Sequence, residues 1–553
     1  FKGVGICVMK KSAYHEKMDK IISLPQFSKY VKPRSNAIHP VLKEEERILK
    51  TLEALRDNGK IDEQLFQEIK PHGSQPARLY GLAKVHKSNT PVRPVLSMPG
   101  SAYHKVAQYV AKCLSIVPEC NINASTKEIC DSLKIVVLEK DEEIISFDVV
   151  SLYTNVPLME AIGVCTDLLY AMPADQKPNI DRETFTTLAK IASCNVLMST
   201  HDGFYYQRDG LAMGSPPAPH LANGWLSQYD STVRGDAKIY YRYMDDIVKD
   251  EKCARVEDKL SEINNLHDQL KFTIERGQNI GQSRQLPVLD MKILHNLESG
   301  KLESTWYSKP TDTGLIMNFH ALAPKRYKRS VVSGFVYRIH RACSSWLLFH
   351  ESLEKAKRIL ERNQYPPAFY EPIIKQTLED ILEVSEKSSI PPSEPATSSS
   401  QKSEKPKLRV QYRGKCTEDY ARALHKINAP CVIVMTLRKL KTVLPSLKPS
   451  VEKMYRSGVV YQLKCPRCTA CYVGETGRHM QVRFKEHIQR QGPMKKHLTN
   501  CKTTLSVEDV DILHQTARGE SFRLTLEALH IRERKPTINT KDEYRTRELT
   551  IKL

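Results

Sequence analysis

Four residues, Tyr-Met-Asp-Asp at positions 243–246, constrain the fold of this chain more than any other segment. Apolar residues flank them at 239–241 and 247–248, which predicts a short β-hairpin with two carboxylates at its turn. Adjacent aspartates are usually a solvated surface turn. Packed against an apolar sheet, however, they are costly unless a cation compensates their charge.

A third carboxylate, Asp148, ends a separate apolar run at residues 144–147. Two strands that deliver carboxylates to one point are the layout of a two-metal phosphoryl-transfer site. Hard divalent cations such as Mg²⁺ prefer carboxylate oxygens. Asp148, Asp245 and Asp246 therefore predict a site for two Mg²⁺ ions, which favours a polymerase.

Charge and composition agree with a nucleic-acid partner. The 553 residues carry a formal charge of +20, which indicates a polyanionic partner, although a basic solvated surface is the alternative. The length suits two to four domains. The 14 cysteines do not form a secreted disulfide pattern, so we expect a reducing intracellular compartment. We find no signal peptide or membrane-spanning run, and the start at Phe1 suggests a missing N-terminal part.

Composition also predicts how the chain divides. Residues 385–409 are rich in Ser, Pro and Lys and predict a flexible linker. Helical spacing with many charges precedes it at 341–384, whereas residues 1–340 mix helical stretches with short apolar strands, typical of an α+β domain on an antiparallel sheet. A basic connector at 410–456 leads into a compact segment at 457–553.

Four residues in the first 340 are candidates for nucleotide binding. Lys84 and Arg93 lie on an extended basic ribbon that could hold an incoming triphosphate, or they belong to an ordinary basic edge strand. Tyr153 is placed to pack under a sugar and exclude a 2′-hydroxyl, with a core tyrosine as the alternative. Gly214, in a Gly/Pro-rich turn, would let the backbone approach a template or nucleotide closely.

These segments, together with the run at 146–157 and Asn-Phe-His at 318–320, resemble the reverse transcriptases of Penelope-like retroelements, relatives of telomerase. The resemblance covers about residues 1–380. It implies a right-hand polymerase with fingers and palm in 1–340 and thumb helices in 341–384. It also implies the three aspartates as catalytic carboxylates, an RNA template and deoxynucleoside triphosphates as substrates. The Gly-Ser-Pro-Pro-Ala-Pro turn departs from the usual Gly-Ser-Pro-Leu-Ser-Pro.

The C-terminal segment carries a second group of chemical side chains. Tyr461 and Tyr472 each lie in a strand-like piece close to a glycine. Arg483 and His487 are spaced i and i+4, so they share one face of a predicted helix. Glu527 is a single acid among apolar neighbours in a later helix, where a solvated glutamate is the ordinary interpretation.

In this order the group resembles the GIY-YIG nuclease family, in the form found in Penelope-like elements. The resemblance implies a small α/β nuclease domain over 457–553. In it Glu527 would hold one Mg²⁺, and either tyrosine would help to activate water. Arg483 would stabilise the developing phosphorane charge, His487 would assist, and Asn539 would brace the site.

A zinc site is predicted within the same segment. Cys465 and Cys468 form a Cys-x₂-Cys pair, and His497 and Cys501 follow at helical spacing. These residue types suit tetrahedral zinc. Cys471 is a competing ligand at the same spacing, and reduced, unliganded cysteines are the alternative.

A polymerase and a nicking nuclease on one chain suggest target-primed reverse transcription, in which a nick in target DNA primes copying of the element's RNA. We expect the nucleus as its compartment and no membrane partner. One alternative is a telomerase-like enzyme that extends existing ends and uses the C-terminal domain only to bind DNA. Another is a catalytically silent nucleic-acid-binding relic, which the intact acids disfavour.

Overall fold

The computed structural model describes residues 8–31, 38–85, 89–388, 407–427, 432–437, 451–516 and 519–539. The described chain is mixed α/β and divides into two compact units. The first unit contains residues 1–8, 122–150 and 229–447, and the second contains 9–121, 151–228 and 448–553. Among the described helices, none combines the length and apolar character needed to cross a membrane.

Helices and strands are numbered along the whole chain. Those of the first unit are α5 (Thr126–Leu133), β4 (Glu142–Val149), β7 (Tyr240–Tyr243), β8 (Asp246–Lys252), α10 (Val256–Asn264), β9 (Phe272–Arg276), β10 (Gln278–Ile280), β11 (Ser283–Val288), β12 (Met291–Asn296), β13 (Leu302–Trp306), α11 (Lys325–Ala342), α12 (Trp346–Arg362), α13 (Pro367–Ser388), β14 (Lys407–Gln411), α14 (Lys415–Lys426) and β15 (Val432–Thr436).

Two antiparallel sheets and four helices, α5, α11, α12 and α13, share the core of the first unit. One sheet has the order β7-β8-β4-β9 and the other has the order β10-β11-β12-β13. Strand β4 is central and buried along nearly its whole length, and its apolar residues at 144, 145, 147 and 149 belong to the buried core. Ile144 of β4, Met291 of β12 and Val336 of α11 belong to one continuous apolar cluster.

The helical part of this unit begins earlier than the sequence predicts. Helix α11 starts at Lys325, within the segment expected to be fingers and palm, and the predicted helices at 341–384 correspond to α12 and α13. Val332, Phe335, Val336 and Ile339 of α11 are buried at helical spacing. The many Lys and Arg residues around them, with several β-branched residues, obscure this apolar stripe.

The predicted linker and connector also have different bounds. Helix α13 continues to Ser388, and β14 begins at Lys407, so both ends of the predicted 385–409 linker are in regular structure. Its remaining residues, 389–406, lie outside the described residues. In the connector, β14 and β15 pair in parallel, with α14 as the crossover helix between them.

The elements of the second unit are α1 (Lys11–Ile22), β1 (Phe27–Lys29), α2 (Pro40–Asp57), α3 (Glu63–Ile69), β2 (Ala77–Ala83), β3 (Val92–Ser97), α4 (His104–Leu114), α6 (Leu152–Asn155), α7 (Leu158–Ala171), α8 (Arg182–Ser193), β5 (Val196–Thr200), β6 (Gly203–Gln207), β16 (Val459–Lys464), β17 (Cys471–Thr476), α15 (Met480–Gln489), α16 (Pro493–Asn500), β18 (Val510–Gln515) and α17 (Glu520–Arg534). Helix α9 (Ala218–Arg234) begins in this unit and ends in the first.

A five-stranded sheet of order β1-β6-β5-β2-β3 organises the N-terminal part of the second unit. Only β2 and β5 pair in parallel. The C-terminal part has a three-stranded antiparallel sheet of order β17-β16-β18. Alternate residues of β16 face opposite sides of this sheet: Tyr461 belongs to a cluster with Met480 and Phe484, and Val460 belongs to one with Ile531.

The C-terminal part contacts residues 39–75 within this unit. His479 is buried, and its Nε2 lies 2.6 Å from the carbonyl oxygen of Ser74. Gln75 donates a hydrogen bond of 2.8 Å to the hydroxyl of Ser457. Gly73 has φ +63°, and a Cβ there would overlap the backbone of Gly477. The two segments therefore approach each other backbone to backbone.

Candidate active sites

The tetrad at 243–246 forms the hairpin that the sequence predicts. Tyr243 and Asp246 are paired across β7 and β8, which leaves Met244 and Asp245 as the two turn residues. Met244 has a φ of 55°, a left-handed conformation that a non-glycine residue rarely adopts. Its backbone N–H donates to the Asn123 side-chain oxygen at 3.1 Å, which helps to hold this turn.

The same sheet brings Asp148 to the hairpin. Asp148 in β4 lies directly opposite Asp246 in β8. One residue further along, the Val149 N–H donates to the carbonyl oxygen of Asp245 at 3.0 Å. Directly opposite residues of an antiparallel pair have Cβ atoms about 5 Å apart. The three predicted carboxylates therefore meet at one end of the β7-β8-β4 sheet.

Electrostatics show that these carboxylates crowd one another. Burial, together with the charges of Asp245 and Asp148, raises the pKa of Asp246 to about 6, against the opposing charge of Lys309. A carboxylate whose negative charge is disfavoured in this way is stabilised by a proton and, equally, by a bound divalent cation. The carboxylate oxygens present are the ligands that Mg²⁺ prefers, so the residues fit the predicted metal.

Two supporting residues near this site did not stand out in the sequence. Asn123 holds the turn from a segment about 120 residues earlier in the chain, and Lys309 follows β13. In strand β7 of the hairpin, Arg242 is fully buried and forms an ion pair with Asp230 through its Nε at 2.8 Å. The Tyr240 hydroxyl donates to the same carboxylate at 2.6 Å.

The four predicted nucleotide-binding residues belong to the second unit. Arg93 in β3 is paired with Leu82 in β2, and Lys84 lies two residues beyond Leu82, so both cations share one face of this hairpin. The backbone N–H of Lys84 still donates to Pro91 at 2.8 Å. Both side chains are half-buried.

The Gly/Pro-rich turn joins this hairpin to the segment that carries Tyr153. The Leu96 N–H of β3 donates to Met213 at 2.7 Å, and the Leu211 N–H donates to the carbonyl of Tyr153 at 2.6 Å. Gly214 has φ +100°, and a Cβ there would lie 2.5 Å from the carbonyl oxygen of Leu96. The glycine is therefore required for this close approach.

In the C-terminal part, one hydroxyl joins two predicted site residues. The Tyr461 oxygen accepts a hydrogen bond of 3.0 Å from Arg483 Nε, and it lies 2.7 Å from His487 Nε2. A Cβ at position 474, opposite Tyr461 in β17, would lie 2.7 Å from this hydroxyl. Gly474 therefore leaves the space into which the phenol reaches.

The imidazole of His487 is neutral in these surroundings. Burial, followed by the positive charge of Arg483, lowers the pKa of His487 to about 4. A neutral imidazole has one lone pair, so Tyr461 is placed to donate its proton to His487 while it accepts from Arg483. The ring of Tyr472 also contacts His487, with centroids 5.1 Å apart.

Glu527 and Asn539 approach the same sheet from other elements. Glu527 is half-buried in α17, and its charge raises the pKa of Tyr461, on which burial has the larger effect in the same direction. The side-chain amide of Asn539 accepts from the Val473 N–H and donates to the Val473 carbonyl, both at 2.8 Å. It thereby holds the strand position next to Tyr472.

Cys465, Cys468, His497 and Cys501 form a cluster in which every ligand atom lies within 4.8 Å of every other. His497 Nε2 is 3.3 Å from Cys468 Sγ and 3.4 Å from Cys501 Sγ, and the two sulfurs are 4.0 Å apart. Tetrahedral zinc–ligand bonds imply edges of about 3.5–3.8 Å, so the set fits zinc. The cluster does not include the alternative ligand, Cys471.

Comparisons with known proteins find limited likeness. The family model described as an animal helix-turn-helix domain matches residues 315–375. No curated protein matches this chain.

Among solved structures, the chain is similar to telomerase from Candida albicans with a TWJ fragment of telomeric RNA (12% identity, TM-score 0.38, covering 58% of this chain and 59% of that one). It is similar to apo telomerase from Candida tropicalis (12% identity, TM-score 0.36, covering 66% of this chain and 66% of that one). It is also similar to the Sicinivirus 3Dpol RNA-dependent RNA polymerase (10% identity, TM-score 0.31, covering 58% of this chain and 71% of that one). The chain thus spans less than two thirds of either telomerase. TM-scores below 0.5 do not establish a shared fold, so the proposed function rests on the geometry of this chain.

Proposed function

We propose that this chain is an RNA-directed DNA polymerase joined to a DNA-nicking endonuclease, and that it mobilises a Penelope-like retroelement by target-primed reverse transcription. The observation that carries the proposal is the register of β4 and β8, which sets Asp148 opposite Asp246 beside the Asp245 turn. Element RNA would be the template, target DNA the source of the primer, and deoxynucleoside triphosphates the substrates. The nucleus would be the place of action.

In the polymerase site, Asp148, Asp245 and Asp246 would hold two Mg²⁺ ions, which supply charge neutralisation for the attacking primer hydroxyl and the departing pyrophosphate. Lys309 balances part of the negative charge at Asp246. Lys84 and Arg93 share a face on which they can hold triphosphate oxygens. Tyr153 would pack against the sugar of the incoming nucleotide.

In the nuclease site, Glu527 would hold one Mg²⁺, which supplies Lewis-acid chemistry at the scissile phosphate. Tyr461 and His487 share a short hydrogen bond through which a proton taken from water can move. Arg483 would stabilise the negative charge that develops at phosphorus. Zinc at the Cys/His cluster would be structural, because all four positions are protein ligands.

Primer extension on an RNA template tests the polymerase. Asp245→Asn keeps the shape of the side chain and removes its charge, so extension should fall at least a hundredfold. Asp258→Asn is the matched control, because Asp258 is an exposed acid of the same type in α10. Near-normal extension by Asp245→Asn would refute the mechanism in which three carboxylates hold the metal ions.

Nicking of supercoiled plasmid tests the nuclease separately. Glu527→Ala should abolish the relaxed product and leave primer extension intact, and Glu533→Ala, an exposed acid in the same helix, should retain both. A wild-type protein that extends primers but never nicks plasmid would favour the end-extending alternative. Unchanged nicking by Glu527→Ala would exclude that residue from the mechanism.

A further inference from the structure

A cavity of about 450 Å³ lies in the first unit, between the helices α11 and α13 and the connector formed by β14, α14 and β15. None of its described lining residues belongs to either proposed chemical site. The lining consists of Phe319, Ala323, Lys325, Lys328, Phe369, Tyr412, Lys415, Glu418 and Arg422.

Direct contacts fix the walls of this cavity. The Tyr327 hydroxyl of α11 donates to the Met435 carbonyl of β15 at 3.3 Å, which ties the connector to the helix. Phe319 packs edge to face against Phe369 with centroids 5.0 Å apart, and against Tyr365 at 5.3 Å. The aromatic wall is therefore a braced cluster, and its two outer rings remain partly exposed.

The charge of the lining is strongly positive. Four cations face one carboxylate among the described lining residues, and the Tyr412 hydroxyl donates to that carboxylate, Glu418, at 2.9 Å. Lys328 lies 5.1 Å from the ring centroid of Phe319, and Lys325 lies 5.8 Å from that of Phe369. In the part of the chain that the structure describes, neither lysine forms an ion pair with a carboxylate.

We infer that this cavity binds an unpaired nucleotide of a single-stranded nucleic acid, with the base against the aromatic wall and the flanking phosphates on the lysines. Aromatic rings stack on any base, and nearby cations neutralise the backbone, which is how proteins bind single strands with little sequence preference. The volume suits one base and its sugar. A duplex would not enter, because its bases are paired and stacked.

Such a site goes beyond the two proposed chemical steps, since it would hold a strand away from the place where the strand is copied or cut. Single-stranded RNA and single-stranded DNA both offer unpaired bases and phosphates. Measuring the affinity for each of them distinguishes the two ligands.

The binding test uses the full chain with fluorescein-labelled oligo(U) RNA or oligo(dT) DNA and follows anisotropy over a salt series. The double variant Lys325→Glu/Lys328→Glu should bind about tenfold more weakly at 150 mM salt. Its log K against log salt slope should be shallower by about 1.4, since each lost phosphate contact on a single strand contributes about 0.7. The control Lys355→Glu/Lys375→Glu makes the same charge change at exposed positions of α12 and α13.

Photo-crosslinking locates the contact without any substitution. A 4-thiouridine oligonucleotide should crosslink to peptides that contain Phe319 or Phe369, and excess unlabelled oligo(U) should compete. In the anisotropy test, a loss of affinity for oligo(U) alone in the double variant identifies RNA as the ligand. Equal losses of affinity for oligo(U) and oligo(dT) identify single strands in general. Equal affinities of the charge-reversal and control variants, absence of crosslinks at both rings, or equal competition by poly-glutamate would overturn the inference.

Failure here is distinguishable from failure of the proposed function. The double variant should extend a preformed hairpin primer–template at the wild-type rate, because its substitutions leave the aspartates unchanged. Crosslinks at Phe319 or Phe369 would stand even if Asp245→Asn left extension intact. Conversely, normal primer extension without these crosslinks would refute only the inference that the cavity binds a nucleotide.

Discussion

Removing the charge of Asp246 should stabilise the metal-free protein while it abolishes primer extension. The pKa of Asp246 is raised from 3.8 to about 6 by burial and by Asp245 and Asp148. Because the folded chain holds the proton more tightly than the unfolded chain, stability falls as the pH rises from about 4 to 6, and the full cost is present above that window. Asn at this position avoids that cost.

The size of the effect follows from the shift. About two pKa units correspond to about 3 kcal/mol, and solvent screening of a half-buried group lowers this to roughly 1–3 kcal/mol. In a unit of this size each kcal/mol moves the thermal midpoint by about 2–4 °C. Asp246→Asn should therefore melt several degrees higher than wild type in EDTA at pH 8.

Differential scanning calorimetry in EDTA at pH 8 and pH 4 checks this expectation, with Asp258→Asn as the exposed control. The gain should shrink to a small fraction at pH 4, where Asp246 is protonated in the folded state and about half protonated in the unfolded chain. Added Mg²⁺ should raise the midpoint of wild type more than that of the variant, since binding to the folded state stabilises it. No gain at pH 8, or an equal gain at pH 4, would refute the argument that like charges crowd this site.

Four further predictions concern other residues. Tyr461→Phe removes the hydroxyl shared by two site residues, so plasmid nicking should fall about a hundredfold while plasmid binding, measured by gel shift, persists. The pKa of His487 is lowered from 6.5 to about 4, so the unfolded chain takes up a proton at this residue at a higher pH than the folded chain does. As the pH falls from 6.5 to 4, the wild-type protein should therefore lose stability relative to His487→Gln in urea unfolding, with no such loss above pH 6.5. Asp230→Ala removes the carboxylate that pairs with the buried Arg242 guanidinium and should cost about 3–5 kcal/mol in urea unfolding, whereas Asp230→Leu with Arg242→Met should cost less. Cys468→Ser should reduce bound zinc, measured by plasma mass spectrometry, to well below one ion per chain.

The β7–β8 hairpin could be predicted from sequence because its information is local. Apolar residues around the tetrad set the strand period, and the apolar run before Asp148 marks a buried central strand. The residues of the Cys/His cluster are also recognisable, since each of its two pairs, Cys465/Cys468 and His497/Cys501, has a local spacing. Cys471 could not be excluded by spacing alone; it lies in β17, outside the cluster.

Long-range pairing explains what the sequence did not reveal. Strand β14 begins inside a segment whose composition predicts a linker, and its partner β15 follows only after a helix. A parallel pair leaves no local turn signal by which it could be recognised. Asn123 and Lys309 were missed as supporting residues for the same reason, because only the folded sheet brings them to the hairpin.

The contact between residues 39–75 and the C-terminal part has a mechanical consequence. Strands β2 and β3 follow directly from the segment that ends at Gln75, and the carbonyl of Ser74 is bound to the buried His479. Any displacement of the segment that ends at Gln75 would therefore be transmitted through this hydrogen bond to the start of α15, whose first turn carries Arg483.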